Sequence, residues 1–258
     1  MKNRILELKN KDSDSNTIKK VGSIEIKNQN ENSADLHFYG DIVSESWISE
    51  WYEDDKCPSD ISKFLEELEG VKNINVHVNS GGGSAFAGLA IYNQLKRYNA
   101  NITTYIDGLA ASIASVIAMA GNRIVMPENA LLMIHKPLSW CGGNAYDFKK
   151  EIEILDTCQK SILSVYMTKA KPNIKEEEIN DLINAETWLT GEEASKYFEI
   201  ELEANVNTVA CSSNYFDRYK NTPKGKISKL KNTKNNLELP VMEEDIKILI
   251  ERIKNKTK

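Results

Sequence analysis

Histidine is scarce in this chain: three in 258 residues, His37, His77 and His135. Any chemistry that needs an imidazole must choose among those three positions. The four cysteines, Cys57, Cys141, Cys158 and Cys211, are widely separated, with no CxxC pair and no histidine at zinc-finger spacing, which argues against a structural zinc site. No apolar run reaches the roughly twenty residues a bilayer span requires. The opening Met1-Lys-Asn-Arg-Ile-Leu-Glu-Leu8 has no apolar h-region of a signal peptide, so a cytoplasmic protein with reduced thiols is expected. Basic excess is missing too: 33 Lys and Arg face 38 Asp and Glu, a net charge of −5, which argues against a protein built to bind nucleic acid. The glycine run Gly81-Gly82-Gly83 is not followed by Gly-Lys-Ser/Thr, Phe86 spoils a GxGxxG pattern, and no GxSxG elbow occurs. These absences weigh against a P-loop, a dinucleotide site and the α/β-hydrolase fold.

What is present has the size and the apolar content, 41%, for one sizeable domain with appendages. Residues 1–33 are polar apart from the strand-like Val21–Lys27 and read as an extension outside the core. The folded domain is expected over 34–203. Leu36–Gly40 reads as a strand ending in a turn, and Trp47 and Trp51 follow in an acidic loop. Ser62–Leu68 reads as a short helix and Ile74–Val78 as an alternating strand before the glycine turn. A helix carrying Phe86, Leu89, Tyr92 and Leu95 on one face comes next. Ile102–Ile106, rich in β-branched residues, is expected to be a strand that leads through Asp107-Gly108 into an apolar helix from Ser112 to Ala120. Arg123–Met126 and Leu131–Ile134 read as strands, and Asn144–Lys169 as a long helix closed by Pro172. Asn173 is placed to cap a short helix, with Glu176 three residues on, and Thr190 to cap another. Strand, glycine turn, buried helix and strand recur, which predicts an α/β domain whose turns converge on one edge. Residues 204–239, lysine-rich and punctuated by Asn, Thr and Pro, have a linker composition, and 240–258 could form a short amphipathic helix.

Two segments carry candidate chemistry. Gly108-Leu-Ala-Ala-Ser112-Ile-Ala-Ser115 lies in an almost wholly apolar stretch, where a hydroxyl needs a partner or a task. Leu131-Leu-Met-Ile-His135-Lys-Pro137 ends a strand in a histidine. Acyl transfer to serine needs a base, a group that orients the base, and amides aimed at an oxyanion. His135 is the best placed of the three histidines, because His37 and His77 lie in alternating strands before any glycine turn. Taken singly, Ser112 could be a helix cap and His135 a backbone-bonded strand end. Ser115, three residues along the helix, is expected to satisfy a preceding carbonyl. His37 and His77 could meet acids in space, but their spacing offers no metal motif.

Four segments in order, Asn79-Ser-Gly-Gly-Gly-Ser84, Gly108-Leu-Ala-Ala-Ser112, Met133-Ile-His135-Lys-Pro137 and Trp188-Leu-Thr-Gly-Glu-Glu-Ala194, resemble the proteolytic subunit family of the Clp protease, over about Asp35 to Glu203. Tyr105–Gly121 and Met126-Pro-Glu-Asn129 are similar to its phage-type branch, the head-maturation or prohead proteases. The resemblance implies a spiral of repeated ββα units, as in the related crotonase fold, with a protruding handle helix. It implies Ser112 as nucleophile, His135 as base, Glu186 as triad acid where the family usually has Asp, and an oxyanion hole from the amides of Gly82 or Gly83 and of Ile113. Gly81 stands where the family commonly has proline.

The same resemblance implies a homo-oligomeric ring, with two rings stacked through the handle helix, and no cofactor or metal. The first expected function is an ATP-independent serine endopeptidase acting on capsid scaffold inside an assembling phage head, in the host cytoplasm, with its polar extensions trimmed by the enzyme itself. The alternatives are a peptidase chamber fed by a separate ATP-driven unfoldase, a catalytically silent ring component, and a crotonase-like acyl-CoA enzyme, which would not need the Ser–His pair. For the lysine-rich stretch, a solvated tail is favoured over a scaffold-binding or nucleic-acid-binding arm.

Overall fold

The computed structural model describes residues 4–11, 18–42, 63–204, 211 and 213–223. The loop with Trp47 and Trp51, the lysine-rich stretch from 224 and the segment 240–258 lie outside the described residues. The fold is mixed α/β. Strands β1 (Arg4–Lys11), β2 (Ile18–Lys27), β3 (Ser33–Gly40), β4 (Asn73–Ser80), β5 (Asn101–Ala111), β6 (Arg123–Pro127), β7 (Leu131–Ile134), β8 (Thr187–Thr190) and β9 (Glu201–Glu203) share one sheet. After a helical turn over residues 63–66, the helices are α1 (Ala85–Arg97), α2 (Ile113–Ala118), α3 (Ala145–Met167), α4 (Glu176–Asn184) and α5 (Gly191–Tyr197).

Strands β3, β4, β5 and β6 run parallel, and their period-two alternation decides what is buried. Ala34, Leu36 and Phe38 of β3 and Ile74, Val76 and Val78 of β4 point into the core, while Asp35, His37 and Tyr39 point the other way. Helix α1 lies close against α2 through Gly88, where a Cβ would come within 2.1 Å of Ile113 Cγ1. Its N-terminus is capped by Ser84, whose hydroxyl accepts from the Ala87 amide at 3.4 Å.

The sheet branches at β5. The first half of β5 pairs with β6, Thr103 opposite Arg123, and the second half pairs with β7, Leu109 opposite Leu131 and Ala111 opposite Met133. Asp107-Gly108 therefore lies inside an eleven-residue strand instead of turning the chain, and α2 is shorter than its apolar run, spanning Ile113–Ala118. Apolarity identified a buried segment without fixing whether strand or helix buried it.

Four further expectations are corrected. Residues 1–33 are not outside the core: β1 and β2 form an antiparallel pair that extends the sheet from β3, and Ile24 and Ile26 are fully buried. Their short apolar alternation sits between polar flanks that masked it. Of the face expected on α1, Tyr92 and Leu95 are buried and Leu89 packs against the core, but Phe86 is 70% exposed, and Ala87, Gly88 and Ile91 are buried in its place. Steps of three residues drift around a helix of about 3.6 residues per turn, so Phe86 ends up on the side opposite Leu95. Helix α4 starts at Glu176, where the Lys175 amide donates to the Glu178 carboxylate at 3.0 Å, so Asn173 is not its cap. Part of the 204–239 linker is folded: Cys211, Phe216 and Tyr219 are buried, and a 3₁₀ turn covers Asn214–Arg218. Thr190 caps α5 as expected, with its amide and hydroxyl both donating to Glu193.

Candidate active site

Sheet register assembles the site. Because Ala111 faces Met133 across parallel strands, the residues that follow β5 and β7 emerge side by side. The Ser112 amide donates to the Met133 carbonyl at 2.8 Å, and His135 Nε2 lies 2.7 Å from Ser112 Oγ although 23 residues separate the two in sequence. Strand β8 runs antiparallel to β7 with Thr187 opposite Ile134, so Glu186 comes next in register beside His135. Three residues far apart in the chain thus occupy adjacent strand ends.

Ser112 sits at the strand-to-helix junction between β5 and α2 with φ of 55° and ψ of −128°. A positive φ is uncommon for a residue with a Cβ, and such strain is found where surrounding structure over-determines the backbone. The turn has the strand–turn–helix geometry of a nucleophile elbow without the GxSxG sequence. Ser115 Oγ donates to the Ser112 carbonyl at 2.5 Å and meets Tyr166 Oη at 2.6 Å, so it is engaged away from the imidazole.

His135 is buried, and burial lowers its pKa to about 4, a shift that the nearby Glu186 carboxylate opposes. The imidazole is therefore neutral at pH 7. The glycine turn approaches from the other side: a Cβ on Gly82, whose φ is +99°, would come within 2.7 Å of Ser112 Cβ and 2.8 Å of the Ala111 carbonyl. The Gly82 amide is spent on Ser80 Oγ at 3.1 Å. Gly83, with φ of +149°, follows it into α1, and the Ile113 amide opens α2 as its first residue, a position with no intrahelical acceptor.

Glu186 does not bond to His135. Its own φ is +51°, and its carboxylate accepts from the backbone amides of Lys220 at 3.0 Å and Asn221 at 2.6 Å. Proximity came from strand register, as the triad expectation required, but the carboxylate is turned to another segment.

That segment was missed at the sequence level. The Tyr219 hydroxyl donates to the Gly81 carbonyl at 2.6 Å and lies beside Ser112, since a Cβ on Gly82 would fall 2.7 Å from Ser112 Cβ and 3.1 Å from Tyr219 Oη, and its ring stands edge-on to His135 with centroids 5.0 Å apart. The one available signal was the aromatic trio Tyr215, Phe216 and Tyr219 interrupting a linker composition.

A second histidine cluster lies on the outward face of β3, β4 and β5. The rings of His37, His77 and Tyr105, neighbours in one row of the sheet, stack at 4.5 and 5.1 Å. His77 Nδ1 lies 3.1 Å from both carboxylate oxygens of Asp107, which also accepts from the Tyr39 hydroxyl at 2.6 Å. Ligand atoms of His37, His77 and Asp107 fall within 4.8 Å of one another. Tetrahedral zinc holds its ligands about 3.3 Å apart, so the cluster would have to close and give up the His77–Asp107 bond. It is a hydrogen-bonded array as it stands.

A strained serine at a strand end, bonded to a buried neutral histidine and facing a glycine turn, defines a serine hydrolase class of site on an α/β sheet. Residues 54–200 match the family model of the Clp protease, and the chain belongs to that family of serine peptidases. Among curated proteins, it is 34% identical over 137 residues to an ATP-dependent Clp protease proteolytic subunit of Ligilactobacillus salivarius, covering 52% of this chain and 68% of that one. It is 28% identical over 141 residues to the subunit of the same name from Bacteroides fragilis, covering 54% and 67%. For that of Porphyromonas gingivalis the figures are 29% over 147 residues, 55% and 65%.

Proposed function

We propose that this chain is a serine endopeptidase of the Clp proteolytic type, with Ser112 as nucleophile and His135 as general base. The observation that carries the reading is the 2.7 Å contact from His135 Nε2 to Ser112 Oγ, made by an imidazole kept neutral by burial. A neutral ring can take the hydroxyl proton as Oγ attacks a peptide carbonyl, and can return it to the leaving amine. The tetrahedral oxyanion would be met by the amides of Gly83 and Ile113. Gly82 contributes its shape, because its amide is already bonded to Ser80. Glu186, next in register beside His135, would orient the imidazole once its carboxylate is free, a role the register supports.

Self-association into rings is part of this reading. Leu138, Trp140, Tyr146, Phe148, Ile152 and Ile154, at and before the start of α3, are all about half exposed or more, a large apolar area for a lone subunit to leave in water. The relatives are named ATP-dependent, which supports a chamber fed by a separate unfoldase. The phage head-maturation setting is a second reading, supported by Tyr105–Gly121 and Met126–Asn129. Cleavage of a folded scaffold protein by the purified ring without ATP separates the two.

Extended labelling with a fluorophosphonate, followed by peptide mass mapping, tests the active-site assignment. Adduct on Ser112 that is lost in Ser112→Ala and His135→Ala and retained in Ser115→Ala is expected. Adduct that survives Ser112→Ala overturns it.

A further inference from the structure

Cys211 and residues 213–223 lie beyond the part of the chain that matches the family, and they are packed onto the candidate active site. Cys211, Phe216 and Tyr219 are buried in a small apolar cluster with Leu109, Ala111, Leu131 and Met133, the last turns of β5 and the body of β7. Tyr219 bonds to the Gly81 carbonyl, its Oη and Ser112 Cβ crowd the same face of Gly82, and its ring borders His135 and Trp188. Ser213 presses against the glycine turn: a Cβ on Gly81 would fall 2.2 Å from Ser213 Oγ. The space between Ser112, His135 and the glycine turn, where a scissile carbonyl must sit, is taken by a phenol of the same chain.

Glu186 holds this segment in place. Both of its carboxylate oxygens accept backbone amides of the segment, from Lys220 and Asn221. Asn221 Nδ2 returns two bonds, to the Ala185 carbonyl at 2.9 Å and the Glu186 carbonyl at 3.1 Å. Hydrogen bonds to an ionised carboxylate are the stronger kind, and two from consecutive amides fix the chain's path. The residue that register places beside His135 is thereby occupied by the segment that covers Ser112.

We propose that residues 211–223 are an intramolecular cover that keeps the peptidase latent, with Glu186 as its latch. The proposal rests on the peptidase reading of Ser112 and His135. With the cover closed, Tyr219 excludes substrate and Glu186 cannot orient the imidazole. When the cover leaves, Ser112 is exposed and the same carboxylate is released toward His135. Opening and activation are then one event, because a single side chain serves two mutually exclusive partners. Gly81, where any side chain would collide with Ser213, is the accommodation in the floor that lets the cover seat.

The test measures the rate of fluorophosphonate labelling at Ser112 in the full chain, together with hydrogen exchange across 211–223, for wild type, Tyr219→Ala and Asn221→Ala. Labelling follows the fraction of molecules that are open, so each variant is expected to label about tenfold faster or more, with faster exchange in the segment. Asn221→Ala retains Tyr219 and leaves Ser112, His135 and the glycine turn untouched, so it keeps the question answerable should Tyr219→Ala fold poorly. Equal Ser112 labelling rates in all three forms overturn the cover and leave the peptidase intact. No adduct in any form, while exchange reports an opened segment in the variants, removes the peptidase reading and this proposal with it.

Discussion

Among the described residues two apolar clusters meet at the candidate site, and they are built differently. The larger is laid down by sheet and helices, with Leu36, Ile74, Ile106 and Ile117 fully buried between elements fixed by register. The smaller shares β5 and β7 as its floor, but its roof is a 3₁₀ turn and a few residues on either side. Ordering a residue costs about 1–2 kcal/mol of backbone entropy, and the roof offsets this with few buried side chains and the Glu186 bonds. The floor is rigid because many elements share its cost, whereas the roof is poised because few contacts hold it. A preorganised base and nucleophile under a releasable cover is the result.

Core truncation should separate the clusters most sharply. Ile106→Ala, in the sheet, is expected to lower global stability by about 2–5 kcal/mol, the usual cost of an Ile cavity in a well-packed core. Phe216→Ala, in the roof, is expected to cost on the order of 1 kcal/mol, because the segment can open locally instead of keeping the cavity. Urea unfolding gives the first quantity, and exchange confined to 211–223 gives the second. Equal global losses would mean that roof and floor form one cooperative unit.

The next effect is smaller and concerns the two roles of Glu186. In a Tyr219→Ala background, where the cover is released, Glu186→Gln should lower kcat/KM for a peptide by about 10²-fold, since a neutral amide supports the imidazolium poorly. In the covered wild type the same change removes a latch acceptor and should speed labelling of Ser112. Opposite signs in the two backgrounds are the expected signature. A loss of the same size in both would restrict Glu186 to one role.

Much of the floor was legible in the sequence because strand alternation and turn chemistry are local. The order of Ser112, His135 and Glu186 along the chain could be read, and parallel pairing of β5 with β7 then brought the first two together. Of the β1–β2 pair only Val21–Lys27 read as strand-like, and its place in the core was illegible because that burial depends on β3, which supplies the surface it covers. The roof was illegible for a related reason. Lys220 and Asn221 look like solvated linker residues, and what they contribute is backbone amides, which every residue carries. Side-chain composition is silent about such contacts. Glu186 stands next to His135 in strand register, but the direction of its carboxylate follows from a positive φ and a partner 34 residues away, neither of which a motif carries.

The smallest expected effect is a shift along the pH axis, and it follows from the burial of His135 under the roof. Its neighbours there are Glu186, Tyr219 and Ser112, and burial outweighs the Glu186 charge, so the pKa lies at about 4 in the closed form. The base acts only when neutral. Residual labelling of wild type should therefore be flat from pH 8 to pH 5 and fall near pH 4. In Tyr219→Ala the ring is rehydrated while Glu186 still favours the imidazolium, so the fall should move up toward the ordinary histidine value of about 6.5. The stability of the closed form carries the same sign. A folded pKa below the unfolded one means that the unfolded chain binds the proton first, so stability is complete above about pH 6.5 and declines as the pH falls toward 4. His37, lowered to about 4 by burial and by His77, adds to that stability slope, but it packs on His77 and Tyr39 and should leave the labelling profile unmoved. Coincident acid limbs for wild type and Tyr219→Ala would show that the sheet, and not the roof, is what desolvates His135.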